Sequence, residues 1–164
     1  MSIFSELGVR DGSDRLKEGL LYNLAACYAL AEKRMTQALA PLGLSTVHMN
    51  SLMIIKHVGG KEGISQVDLA KKMIVSAGNI TRLIYRLQKE DLVTRVPRSG
   101  DRRVKVLKIT QKGSDLMDKA WPIHKREVHK IVSLVQEKEV KVASDILNHF
   151  REQMSQRSGE GTSK

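Results

Sequence analysis

One predicted helix places small, polar and basic side chains along a single face. Ser76 is a residue type that caps helices, and apolar residues follow at the i, i+3, i+4 and i+7 spacing of a buried face. The opposite face carries Gly78, Arg82, Tyr85 and Lys89, flanked by Asn79, Thr81 and Arg86. The candidate DNA contacts on this helix are Ser76, Gly78, Asn79, Thr81, Arg82 and Arg86. Asparagine can pair with adenine, and arginine with guanine, through two hydrogen bonds each. This arrangement suits a helix that enters a DNA major groove with its N-terminus first, although ordinary solvent-exposed residues are the alternative interpretation.

A basic hairpin is predicted directly after that helix. Two strand-like runs, 92–98 and 102–109, flank a bend at Ser99-Gly100-Asp101. The tip of the hairpin is crowded with positive charge at Arg98, Arg102, Arg103 and Lys105. Like charges at such short spacing repel one another unless an anion lies among them. The hairpin therefore favours a polyanionic partner.

A shorter helix is predicted just before the polar one. Ser65 and Asp68 form an S-x-x-D capping signal, and Val67, Leu69, Ala70 and Met73 supply an apolar stripe. Two helices joined by a tight turn and followed by a hairpin make a winged helix-turn-helix, which we expect to span residues 45–110.

The segment "ISQVDLAKKMIVSAGNITRLIYRLQKEDLVTRVPRSGDRRVKVLKIT" resembles the core of the MarR family of bacterial transcription regulators. The matching motifs are "DLA", "NITRLIYRLQKEDLVTR" and "DRRVKVLKIT", and the last contains the D-x-R of the family's wing, Asp101 and Arg103. The resemblance extends over roughly residues 14–155. It implies that Arg103 enters the minor groove, that Asp101 helps to hold it, and that the protein is a homodimer on a near-palindromic operator.

Asp91 departs from the family pattern, which usually has glycine before the Leu-Val of the wing. Glycine at this place ends the helix in the left-handed conformation. Aspartate tolerates that conformation less well, so we expect the turn to be kept at some cost in free energy.

The charge of the chain is concentrated in the same module. The 164 residues carry a formal net charge of +10, and residues 61–112 hold 13 Lys and Arg against 5 Asp and Glu, a net +8. Charge concentrated on one module is typical of a protein that binds a polyanion, here double-stranded DNA. A basic face that is merely solvated is the alternative.

The predicted fold is mainly α with a small β-hairpin wing, a winged helix-turn-helix with a helical dimerisation region. Residues 1–12 are predicted to be a flexible arm, 13–44 and 111–156 the dimerisation region, and 157–164 a disordered tail. The terminal helices have more apolar positions than a small winged helix could cover, which favours a second subunit as their partner. Packing within one chain as a helical bundle is the alternative.

No metal site, cofactor or enzyme motif is predicted. The histidines at 48, 57, 124, 129 and 149 lack the spacing of metal ligands, and no catalytic motif is present. The resembled family includes peroxide sensors with a reactive cysteine in the first helix, but Cys27 lies about two positions away from that cysteine. Moreover, no cationic side chain lies within four residues of Cys27 to stabilise a thiolate, which favours a small core residue. With one cysteine, and without a signal peptide or a long apolar run, a cytoplasmic protein without membrane contact is expected.

The sequence therefore predicts a sequence-specific DNA-binding transcription regulator, most simply a ligand-responsive repressor with an effector of unknown identity. An architectural DNA-binding protein without an effector is the alternative. A regulator should prefer one palindrome by about 10³-fold or more over random DNA, and an architectural protein should not.

Overall fold

The computed structural model describes residues 3, 16–73 and 80–160, apart from the side chains of Arg102 and of residues 157–160. The chain divides into two compact units, with the boundary between Glu127 and Val128. This boundary lies within the helix Gln111–Val132. The helices are α1 (Leu16–Leu39), α2 (Thr46–Ile54), α3 (Gln66–Lys72), α4 (Ile80–Lys89), α5 (Gln111–Val132) and α6 (Glu137–Glu160). A 3₁₀ turn, Ala40–Leu42, follows α1, and a π-helical turn, Ile55–Gly59, extends α2. The strands are β1 (Ile64–Ser65), β2 (Val93–Arg98) and β3 (Asp101–Ile109).

Side-chain caps begin the helices where the sequence predicts them. The Ser45 hydroxyl accepts a hydrogen bond from the backbone N–H of His48. In return, the backbone N–H of Ser45 donates to Nδ1 of the His48 ring, with 3.4 Å between the two nitrogens. The Ser65 hydroxyl accepts the backbone N–H of Asp68, and that of Thr110 accepts the backbone N–H of Gly113. Each cap satisfies a donor that the first turn of a helix leaves unpaired. The helix start predicted at Ser65 is confirmed, and Ser45 and Thr110 cap α2 and α5 in the same way.

The apolar stripe of α4 reaches the centre of the core in the first unit. Ile84 and Leu87 are buried, and Ile80 and Leu83 pack against the core at partial burial. The same core includes residues from α1, α2, α3 and β3, among them Leu39, Leu52, Ile55, Leu69 and Leu107. Because one stripe of α4 is held in this core, its opposite face is turned outwards.

The sheet has three antiparallel strands in the order β1-β3-β2. Leu107 of β3 lies between Ile64 of β1 and Arg95 of β2, and an irregularity between Pro97 and Arg98 brings Arg98 opposite Asp101. The hairpin of β2 and β3 was predicted. The two-residue strand β1 was not, because so short a segment shows no alternation of apolar and polar residues.

The turn between α4 and the hairpin has the predicted left-handed residue. Asp91 has a φ of 57°, and its carbonyl accepts the Thr110 hydroxyl at 2.7 Å. The preceding carbonyl, that of Glu90, accepts the Lys112 ammonium at 2.7 Å. The end of α4 is therefore fastened to the first turn of α5.

The terminal helices differ from the predictions in two respects. Cys27 is exposed in the chain, so its interpretation as a buried core residue is wrong. The apolar residues near it, including Leu20, Leu24 and Tyr28, are exposed as well. In the second unit, α6 continues to Glu160, four residues into the segment predicted to be a disordered tail.

No single described helix has both the length and the hydropathy of a membrane span. The segments Leu16–Leu42 and Thr46–Gly59, which are bent by 77°, satisfy that criterion only when they are taken together.

Candidate nucleic-acid interface

The outward face of α4 carries the polar and basic side chains expected from the sequence. Thr81, Arg82, Arg86 and Lys89 are exposed, and Tyr85 beside them has 66% of its surface accessible. Tyr85 was not among the predicted contacts, although its spacing from Arg82 places it on the same face. The predicted contacts Ser76, Gly78 and Asn79 lie outside the described residues.

Arg86 and Glu90 form an i,i+4 ion pair at 2.8 Å on the exposed surface of α4. Such pairs contribute little to stability, but the carboxylate compensates part of the arginine's charge. Arg82 has no acidic partner among the described contacts and is exposed, so its positive charge is available to a ligand.

The wing presents its basic residues at the turn between β2 and β3. Arg98, Arg103 and Lys105 are exposed, and the side chain of Arg102 lies outside the described part. The Asp101 carboxylate accepts the backbone N–H of Arg103 at 2.9 Å. Asp101 therefore holds the main chain of the turn, which is a more local contact than the pairing with the Arg103 side chain that the resemblance suggests.

A polar bridge connects the start of α3, the first turn of the described α4 and strand β2. The Gln66 amide nitrogen donates to the Thr81 hydroxyl at 2.8 Å, and the Arg95 guanidinium donates to the Gln66 amide oxygen. Thr81 was predicted as a site residue, whereas Gln66 and Arg95 were not. In the sequence, Gln66 lies 15 residues from Thr81 and 29 residues from Arg95, and no local pattern reveals a contact at such a separation.

Known proteins resemble this region in both sequence and fold. The model of the MarR family matches residues 47–105, which include α3, the recognition helix α4, β2 and half of β3. Over these residues the chain is similar to the MarR family of transcription regulators. The winged helix-turn-helix fold predicted from the sequence is thereby confirmed.

Proteins similar in sequence to this chain include the HTH-type transcriptional regulator MhqR of Bacillus subtilis. The two are 27% identical over 124 residues, which cover 76% of this chain and 83% of MhqR. A cysteine-to-serine mutant of MarR from E. coli, solved in complex with operator DNA, superposes with a TM-score of 0.75 at 19% identity and covers 85% of this chain and 99% of that one. The organohalide-sensing regulator RdhR, solved in its 2,4-dichlorophenol-bound form, superposes with a TM-score of 0.77 at 20% identity. The match covers 86% of this chain and 82% of RdhR.

A cavity of about 170 Å³ opens between the π-helical turn and α5. It is lined by Lys56, His57, Met117, Asp118 and Trp121. The Lys56 ammonium and the Asp118 carboxylate form an ion pair across it at 2.7 Å. The sequence did not single out these residues as a group, because the lining is drawn from two helical segments about sixty positions apart.

Two histidines are held in their neutral form by burial. Desolvation lowers the pKa of His124, whose ring stacks on Trp121 at 5.4 Å and whose Nδ1 is buried without a partner among the described residues. Desolvation also lowers the pKa of His48, and the positive charge of Arg86 lowers it further. Neutral His48 keeps a lone pair on Nδ1 for the Ser45 backbone N–H, as its capping role requires.

Proposed function

We propose that this protein is a MarR-family regulator that binds a near-palindromic operator as a homodimer, represses transcription there, and releases the DNA when it binds a small molecule. The observation that carries the proposal is the exposed basic surface formed by the outward face of α4 and the tip of the wing. These are the elements that a winged helix inserts into adjacent grooves of a duplex. The net +8 of residues 61–112 supports the same partner.

Exposed apolar residues on the terminal helices support the homodimer. On α1, Leu16, Leu20, Leu21 and Leu24 are exposed, and on α6 so are Val142, Ile146 and Leu147. Monomeric proteins rarely expose so many large apolar side chains in sequence proximity, and a second copy would remove them from water. Sedimentation equilibrium should give twice the chain mass of 18.4 kDa. A monomer at micromolar concentration would contradict the dimer.

Two substitutions test the groove assignments, because they should weaken binding in different ways. Arg103→Ala removes a wing contact to the minor groove and phosphates, so binding to operator and scrambled duplexes should weaken alike. The slope of log affinity against log salt should flatten by about one unit. Arg82→Ala removes a candidate base contact. It should cost about 1–3 kcal/mol on the operator and relax preference at one position per half-site.

Fluorescence anisotropy with both duplexes at several salt concentrations measures these effects, once the operator has been located by genomic footprinting. If Arg103→Ala binds like the parent at every salt concentration, the wing assignment is wrong. If the parent shows little preference between operator and scrambled DNA, the architectural alternative replaces the regulator.

The cavity between the π-helical turn and α5 supports the small-molecule response. Its volume of about 170 Å³ is close to that of engineered protein cavities that hold one benzene molecule. One wall is the Trp121 ring, and Lys56 supplies a cation. A single-ring compound with an acidic group, such as a phenol or an aromatic acid, matches this lining in size, and its acidic group would compete with the Asp118 carboxylate for the Lys56 ammonium.

Trp121 is the only tryptophan of the chain, so its fluorescence reports entry of a ligand into the cavity. Titration with phenols and aromatic acids should quench it and release operator DNA over the same concentration range. Lys56→Met should weaken the response by about tenfold or more, as expected for a lost bond to a charged group. Lys61→Met, at an exposed loop lysine, is the matched control. Compounds that release DNA without changing Trp121 fluorescence would place the effector elsewhere.

A further inference from the structure

The amide of Gln66 has only one orientation that satisfies both of its neighbours. A guanidinium donates hydrogen bonds and cannot accept them, so Arg95 must face the amide oxygen. The amide nitrogen then faces the Thr81 hydroxyl, which accepts at 2.8 Å. The hydrogen of that hydroxyl stays available for an outside acceptor. Gln66 is therefore hydrogen-bonded to the start of α4 and to strand β2 at the same time.

Gln66 is itself held firmly. It is half-buried and follows Ser65, whose hydroxyl caps α3. The two residues before it form β1, in which Ile64 pairs with Leu107 and Ser65 with Val106. Leu107 is also the register partner of Arg95, so Gln66 and Arg95 extend from one row of the sheet. The position of Arg95 is therefore set by the sheet and by the amide together.

Arg95 still has hydrogen-bonding capacity and charge to offer. A guanidinium has five N–H donors, and Gln66 occupies one of them in the described contacts. The residue is exposed, and the amide partner is neutral, so its positive charge is not compensated. This differs from Arg86, whose charge is paired with Glu90.

The place of this bridge in the fold indicates its ligand. A duplex that receives α4 in its major groove and the wing in the neighbouring minor groove must pass one phosphate strand between the two elements. Gln66 brings Thr81, at the start of α4, and Arg95, on β2, to the same place between the two elements, where that strand would run. From this geometry we infer that Arg95 is a DNA phosphate contact and that Gln66 is the positioning residue that directs Arg95 and Thr81 to the same phosphate strand. The inference rests on the proposed DNA-binding surface.

Two substitutions separate this role from a merely structural one. Arg95→Gln removes the charge but keeps a polar side chain that can bond to Gln66. Gln66→Glu keeps both bonds, because a carboxylate accepts from the guanidinium and from the Thr81 hydroxyl, but it neutralises Arg95 within the protein. Gln37→Glu makes the same chemical change at an exposed position of α1, outside the proposed DNA-binding surface, and is the matched control for added negative charge.

The assay is binding of a fluorescent mixed-sequence duplex of about 30 base pairs, long enough for two half-sites, between about 50 and 200 mM salt. Each phosphate contact contributes about 0.9 to the slope of log affinity against log salt. Arg95→Gln and Gln66→Glu should each lower that slope by about 0.9 per protomer. Gln37→Glu should keep the parent slope. Thermal unfolding should show Gln66→Glu to be no less stable than the parent, because its charged bond to Arg95 is stronger than the original one.

A parent slope retained by Arg95→Gln overturns the phosphate contact. Equal slopes for Gln66→Glu and Gln37→Glu overturn the positioning role of Gln66. Both results leave the proposed function intact as long as the parent binds the duplex with a salt-dependent affinity. A parent that does not bind duplex DNA at low salt refutes the proposed function itself.

Discussion

Gly113 is the residue at which the close approach of α5 to the end of α4 can be tested. A β-carbon built on Gly113 would lie 2.1 Å from the carbonyl oxygen of Leu92 and 2.9 Å from the Ile109 side chain. Ordinary contacts of a β-carbon begin beyond 3 Å. The first atom belongs to the backbone, so Gly113→Ala cannot be accommodated by rotation of a side chain. The first turn of α5 must instead move away from Leu92 by about 1 Å.

Three hydrogen bonds cross this contact and would lengthen together. The backbone N–H of Thr110 donates to the Leu92 carbonyl at 3.1 Å, the Thr110 hydroxyl to Asp91 at 2.7 Å, and the Lys112 ammonium to Glu90 at 2.7 Å. At about 1 kcal/mol each, their loss costs about 3 kcal/mol. Alanine regains about 1 kcal/mol through its higher helix propensity, so the net destabilisation is about 2 kcal/mol.

Helix propensity alone predicts the opposite sign for Gly113→Ala, which makes the experiment decisive. For a chain of this length a loss of about 2 kcal/mol lowers the melting temperature by about 4–8 °C. Lys112→Ala removes one of the three bonds without a clash and should cost about 1 kcal/mol or less. Differential scanning calorimetry measures both variants. A Gly113→Ala protein that melts at or above the parent temperature would refute the packing argument.

Three further predictions concern Asp91, the two histidines with lowered pKa, and Cys27. Asp91→Gly should stabilise the fold by about 0.5–1 kcal/mol, because glycine accepts the φ of 57° without a β-carbon penalty, and a lower urea midpoint would contradict this. Burial lowers the pKa of His48 and His124 below 6.5, so the unfolded chain takes up protons that the native chain does not, and stability should fall as the pH drops below about 6.5. The double variant His48→Gln/His124→Gln should show a shallower fall between pH 5 and 6.5 by urea titration. Cys27→Ser should leave any peroxide response of DNA binding unchanged, because no cation near Cys27 in the sequence favours a thiolate, and loss of that response would show a sensor.

Features that depend on neighbours along the chain were predictable from the sequence. The helix starts at Ser45, Ser65 and Thr110 follow from caps that act over three residues. The buried stripe of α4 follows from spacing within a single helix, whereas the left-handed conformation of Asp91 was implied by the resemblance to the MarR family. The basic character of α4 and the wing could also be read directly, since charge belongs to side chains in any conformation.

The contacts between distant segments required the tertiary structure. Gln66 meets Arg95 only because β1 joins the sheet beside Leu107, and two residues of strand are too few to be recognised from a pattern. The exposure of Cys27 likewise depends on which half of α1 the core reaches, since the buried residues of that helix near its end are Met35 and Leu39. Periodicity predicts which residues share a face, whereas packing between elements decides whether that face is covered and which side chains meet across it.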